Sequence, residues 1–93
     1  MTRRPRLVIE YCPRCRWLLR AAWLAQELLS TFEDEIGEVA LAPAGRGVFE
    51  LRAGDGTVLW SRAGEGRLPE ARELKQRVRD AFFPERSLGH SER

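Results

Sequence analysis

The chain predicts an α/β fold with the element order β-α-β-β-β-α and a four-stranded mixed sheet. Three observations carry this. An almost wholly apolar run, Leu7-Val8-Ile9-Glu10-Tyr11, precedes a longer stretch whose apolar residues recur at helical spacing. Two short strand-like runs flank Ala53-Gly54-Asp55-Gly56, a strong hairpin signal. A second helical stripe follows and is stopped by Pro84.

Each element has its own justification. Residues 1–6 read as a loose arm. The first strand, about Leu7 to Tyr11, is apolar enough to be expected buried on both faces. The first helix is predicted to begin near Pro13, because proline suits a first helical turn. Trp17, Leu18, Ala21, Leu24, Ala25, Leu28, Leu29 and Phe32 supply its apolar stripe, and Trp23 lies off it as a candidate protein-facing residue. The acidic cluster Glu33, Asp34 and Glu35 would oppose the negative end of the helix dipole. The helix therefore ends near Thr31 or Phe32, with Gly37 opening the turn.

A second strand, about Glu38 to Ala42, follows a helix and so should run parallel to the first through a right-handed crossover. Pro43 to Gly47 is a Pro/Gly loop that either frames the CxxC, through the sheet order proposed below, or merely connects strands. Val48–Arg52 and Thr57–Ser61 form the hairpin, and Gly64, Gly66 and Pro69 mark a further loop. The last helix runs from about Pro69 to Phe82 on the stripe Ala71, Leu74, Val78 and Ala81, with Glu70 and Glu73 placed to suit its positive end. Residues 85–93 read as a polar tail. One sheet order satisfies these connections: 2-1-3-4, the first pair parallel and the hairpin antiparallel, with both helices packed on the sheet.

Composition bounds the function. Ninety-three residues make one domain, 1–93, with no room for a second core. The formal charge is +2, from 16 basic and 14 acidic residues that are well mixed, so no basic face for nucleic acid is expected. Arg3, Arg4 and Arg6 make only a small basic cluster interrupted by Pro5. No apolar stretch is long enough to span a membrane, and no signal-peptide pattern opens the chain, so a cytoplasmic location is the expectation. In that compartment a lone cysteine pair points to redox, sensing or metal chemistry rather than a structural disulfide.

That pair is Cys12-Pro13-Arg14-Cys15, placed where the first strand ends and the first helix is predicted to begin. The first turn of a helix presents unpaired N–H groups and positive potential, which favour a thiolate. The thiolate is the nucleophile of disulfide exchange, and a second thiol three residues on can resolve the mixed disulfide. Cys12 and Cys15 are thus the candidate reactive residues. Cys12, at the expected N-cap, is predicted to attack, and Cys15, about one turn inside, to be more covered and to resolve. Pro13, Arg14, Arg16, Trp17 and Pro43 are candidate lining residues. Arg14 and Arg16 make the surroundings electropositive, and Trp17 can cover the thiols, although core packing is the commoner role for tryptophan.

This is the core of a thioredoxin-like fold in which the 43–47 loop replaces the middle helix. The resemblance goes further. Glu10-Tyr11 before the CxxC, Trp17-Leu18 after it, Phe49-Glu50, Gly54-Asp55-Gly56, Leu59-Trp60, Gly66, Pro69-Glu70, Leu74-Lys75 and Val78-Arg79-Asp80 together resemble the selenoprotein W-like (Rdx) family, as a bacterial cysteine-containing member. The likeness spans residues 5–84. It implies a thiol-based oxidoreductase role with Cys12 and Cys15 as the redox pair and glutathione as a suggested partner of some members. Protein or glutathione thiols and disulfides are the expected partners, and glutathione or a thioredoxin system is the expected reductant. No cofactor is expected, since no Gly-rich phosphate loop follows a strand. The likeness also implies that Cys15 holds the position of selenocysteine in the selenium-containing relatives, which favours Cys15 as attacker. Two positions depart from expectation. Leu68 replaces an aromatic residue of many relatives. Pro43 lies several residues before Val48, where a thioredoxin cis-proline would stand next to its strand.

Two other readings use the same pair. A soft-metal-binding module of ferredoxin-like fold also places a CxxC between a first strand and helix. It needs a strand after the last helix, for which residues 83–93 show no pattern. A zinc site would need further ligands, of which only His90 is a candidate. A redox-sensitive interaction module without turnover is the third reading.

Overall fold

A computed structural model describes residues 4–89. Its elements are β1 (Arg6–Tyr11), α1 (Leu18–Thr31), β2 (Glu38–Pro43), β3 (Phe49–Ala53), β4 (Val58–Ser61), α2 (Arg62–Glu65) and α3 (Ala71–Phe82). The sheet order is β2-β1-β3-β4, with β1 and β2 parallel and β1-β3 and β3-β4 antiparallel. This is the predicted architecture.

Both long helices cover the same face of the sheet. Leu7, Ile9 and Tyr11 of β1, Phe49 and Leu51 of β3 and Trp60 of β4 point into the core, where they meet Ala21, Leu24, Ala25, Leu28 and Phe32 of α1 and Leu74 and Val78 of α3. The expectation that β1 is buried on both faces is corrected by its alternation. Leu7, Ile9 and Tyr11 are buried, while Val8 and Glu10 are only half-buried. Among the described residues no helix covers the second face, and its polar residues neutralise one another. Glu10 and Glu50 stand opposite each other across β1 and β3. Arg52 donates to Glu10 at 2.8 Å and to Glu50 at 2.6 Å, and Ser61 Oγ donates to Glu50 at 3.3 Å. These partners hold the Arg52 guanidinium above its ordinary pKa, the hydrogen bond to Glu10 contributing most.

Three further departures have physical causes. The helix expected to start near Pro13 starts at Leu18, because Arg16 takes a left-handed conformation (φ 62°) that no α-helix continues through. A single short helix, α2, fills the Gly64 loop and is closed by Gly66 at φ 80°. The segment after α3, read as polar tail, packs back in its described part. Leu88 joins the core, while Arg86 donates to Glu35 Oε1 at 2.7 Å and to the Thr31 carbonyl at 2.5 Å, with its guanidinium over the Phe32 ring. Arg86 thus occupies the carbonyl end of α1, where a cation is favoured. The N-terminus of α3 follows the sequence expectation closely. Glu73 reaches back to accept from the Glu70 N–H at 2.9 Å, and Arg67 grips the same carboxylate. No helix among the described residues is long and apolar enough to cross a membrane.

Candidate functional site

Cys12 and Cys15 leave the C-terminal end of β1, the second strand from the sheet edge. Pro13 to Arg16 form one tight turn, closed by the Arg16 N–H donating to the Pro13 carbonyl at 3.0 Å. The left-handed Arg16 then redirects the chain, and Trp17 becomes the N-cap of α1. The thiols therefore belong to a separate turn ahead of the helix rather than to its first turn. Within that turn the two cysteines are joined as a disulfide, with Cα atoms 5.3 Å apart. The Cys15 N–H donates to Cys12 Sγ at 3.2 Å.

The two sulfurs differ in access. Cys12 is 1% exposed, whereas Cys15 is partly open to solvent. The expectation that Cys15 would be the more covered is thus reversed. Its cause is the loop after β2. The Ala44 N–H donates to the Tyr11 carbonyl at 2.8 Å and so draws residues 44–46 over the end of β1. A cavity of about 300 Å³ lies there, lined by Cys12, Pro13, Arg14, Ala44, Gly45 and Arg46.

The predicted lining residues separate into two groups. Pro13 and Arg14 line the cavity with Cys12. Pro43 does not line it; it pairs with Tyr11 as the last residue of β2, and its peptide bond is trans. Arg16 is exposed at the turn's end. Trp17 is half-buried, packs edge-on against Phe49 with ring centroids 6.0 Å apart, and carries Arg62 over its face at 5.3 Å. It anchors the turn to the core. Trp60 is a core residue at 2% exposed, whereas Trp23 is 46% exposed on α1.

Two residues of the site were missed from the sequence. Arg46 sits in a Gly-flanked loop, and only the sheet order brings that loop to the CxxC. Arg62 reaches Trp17 from β4's far end and donates to the Gly47 carbonyl at 3.3 Å. Among the described residues no group of three or more His, Cys, Asp or Glu side chains comes together as a metal site. His90 lies outside the described residues.

A mixed sheet with its helices on one face and a CxxC disulfide directly after β1 defines a thioredoxin-like fold of redox type. The comparisons agree. The Rdx family model matches residues 6–80, and the chain belongs to that family. Two crystal structures are similar. One, of a protein from Bordetella parapertussis, is 57% identical with a TM-score of 0.81, the match covering 85% of this chain and 99% of that one. The other, a selenoprotein W-related protein from Vibrio cholerae, is 50% identical with a TM-score of 0.81, covering 86% of this chain and 99% of that one. Among curated proteins none matches the chain.

Proposed function

We propose that the chain exchanges disulfides through Cys15, with Cys12 as the resolving sulfur. The observation that carries this reading is the asymmetry of the pair: Cys15 is reachable from solvent and Cys12 is not. A partner thiolate attacks Cys15 Sγ, the Cys12–Cys15 bond breaks, and its electron pair leaves on Cys12 Sγ. The Cys15 N–H is already aimed at that sulfur and stabilises the charge that develops on it. A second partner thiolate then attacks the partner's sulfur in the mixed disulfide and releases Cys15 as a thiolate. The net change is one protein disulfide reduced and one partner disulfide formed. In the reverse direction Cys15 attacks a substrate disulfide, and Cys12 displaces the substrate.

The class of partner follows from charge. Arg14 and Arg46 line the cavity beside Cys12, and exposed Arg14 and Arg16 flank Cys15 in the chain. Glutathione, with two carboxylates, or a protein cysteine flanked by acidic residues suits this setting. The family resemblance implies that Cys15 holds the selenocysteine position of the selenium-containing relatives, which supports the same assignment.

Trapping tests it. With oxidised glutathione, Cys12→Ser should accumulate a stable glutathione adduct on Cys15, identified by intact mass and peptide mapping. Cys15→Ser should form the adduct slowly or not at all. An adduct that accumulates on Cys12 alone would reverse the roles.

A further inference from the structure

The sheet has two edges, and they are treated differently. At the β4 edge, Arg77 donates to the Leu59 carbonyl at 2.7 Å, and α2 and α3 both pack on β4. Among the described residues the β2 edge has no such cover. β2 pairs with β1 on one side only, and its centre reads Val39-Ala40-Leu41-Ala42 without a charge, a bulge or a proline until Pro43 ends it. An uncharged edge of this kind is a template for strand addition, which protein sheets normally block.

The apolar surface beside this edge is continuous with it. Leu41 of β2 points to the helix-bearing face, in register with Ile9, yet is 37% exposed. On α1, Leu18, Ala22 and Leu29 fall on one shoulder of the helix by their spacing. Leu18 is 45% and Leu29 39% exposed. The opposite shoulder is the one that faces α3, because Arg20 reaches the Pro69 carbonyl and Glu27 pairs with Lys75. The exposed shoulder is therefore the β2 side.

Charge along this edge is polarised. The CxxC end carries exposed Arg14, Arg16 and Arg46, and no acidic residue occurs between Tyr11 and Gln26. The other end carries exposed Glu33 and Asp34, while Glu38 there is paired with Arg6 at 2.7 Å and exposed Arg4 lies beside Gly37, so Glu33 and Asp34 are what leave this end net acidic. Two copies related by a two-fold axis normal to the sheet would run β2 antiparallel to β2 and α1 antiparallel to α1. The basic end of each copy then faces the acidic end of the other.

From these features the geometry points to a second copy of this chain as the occupant of the β2 edge: a two-fold homodimer with β2 paired to β2 and the Leu18, Ala22, Leu29 and Leu41 surface closed across the axis. The interface is isologous, so each complementary contact occurs twice. Charge fixes the antiparallel register, and the strand pairing and apolar closure hold it. A seam of one strand and one helix per copy is small, so association is concentration-dependent rather than obligate.

Sedimentation equilibrium of the full chain from about 1 μM to about 1 mM tests this. The expected result is a mass rising from 10.7 kDa toward twice that value. Leu41→Lys and Leu29→Asp, both at exposed positions, should each weaken association at least about tenfold without changing the circular dichroism spectrum. The charge pattern has its own test. Glu33→Lys/Asp34→Lys and Arg14→Glu/Arg16→Glu should each self-associate more weakly than the unaltered chain, and an equimolar mixture should associate more tightly than either alone. A monomer at every concentration would overturn the proposal and leave the edge to an extended segment of another protein. A dimer indifferent to Leu41→Lys and Leu29→Asp would overturn it equally.

Discussion

In the reduced protein, Cys15 should react with iodoacetamide well ahead of Cys12. The single variants Cys12→Ser and Cys15→Ser isolate each thiol. In Cys12→Ser the remaining sulfur is already open to solvent. In Cys15→Ser the remaining sulfur is 1% exposed, and reaching it requires the 13–16 turn to open. Opening breaks the Arg16 N–H to Pro13 carbonyl bond at 3.0 Å and the residue-15 N–H to Cys12 Sγ bond at 3.2 Å. Each hydrogen bond is worth about 0.5–1.5 kcal/mol net, so the opening costs about 1–3 kcal/mol. At 1.4 kcal/mol per tenfold, labelling of Cys12 should be about 5- to 150-fold slower than that of Cys15. The assay is quenched iodoacetamide labelling read by intact mass, repeated in denaturing urea, where the two rates should converge. Equal rates in the native state, or faster labelling of Cys12, would refute the structural basis of the assigned roles.

Three further outcomes follow from other residues. Glu73 is held down to about 2 from 4.5, chiefly by the hydrogen bond from Arg67 and then by the Glu70 N–H. A depressed carboxylate stabilises the fold above pH 4.5 and loses that contribution as pH falls toward 2. Glu73→Gln should therefore cost about 1–3 kcal/mol at pH 7, after allowance for the exposed Arg67, and the gap in urea midpoints between variant and parent should close on acidification; a gap independent of pH would contradict the linkage. Arg14→Glu/Arg46→Glu should slow exchange with glutathione and lessen its salt dependence in stopped-flow measurements, while exchange with an uncharged thiol changes little. Leu88→Ala should lower stability by about 2 kcal/mol, the low end for a buried leucine; an unchanged melting temperature would mean that residues 85–89 do not contribute to the core.

Much of the frame was legible because period and punctuation agreed. The stripe from Ala21 to Phe32 allowed only a helix, the turn signal at Gly54-Asp55-Gly56 allowed only a hairpin, and a helix between β1 and β2 required them to be parallel. The start of α1 was not legible for a specific reason. Proline at a first helical turn is a good local rule, but Arg16 adopts a left-handed backbone that glycine or asparagine normally announces. Leu88 was illegible because a single apolar residue among polar neighbours has no period. Its burial depends on Arg86 finding the carbonyl end of α1.

The reactive pair shows where local reading and tertiary structure part. Alternation along β1 puts Leu7, Ile9 and Tyr11 inward, and continuing it would turn Cys12 toward the open face. The strand stops at Tyr11, however, and the Tyr11 carbonyl receives the Ala44 N–H, so the loop after β2 closes over Cys12 instead. That loop begins at Ala44, 32 residues after Cys12, and reaches the thiols because β2 is the parallel neighbour of β1. The loop turns through Gly47 at φ 74°, and Arg46 adds a cation that no local pattern marks. Cys15, on the far side of the turn, is left open. The difference between the two sulfurs is thus a property of the sheet order, while the presence of the pair is a property of the sequence.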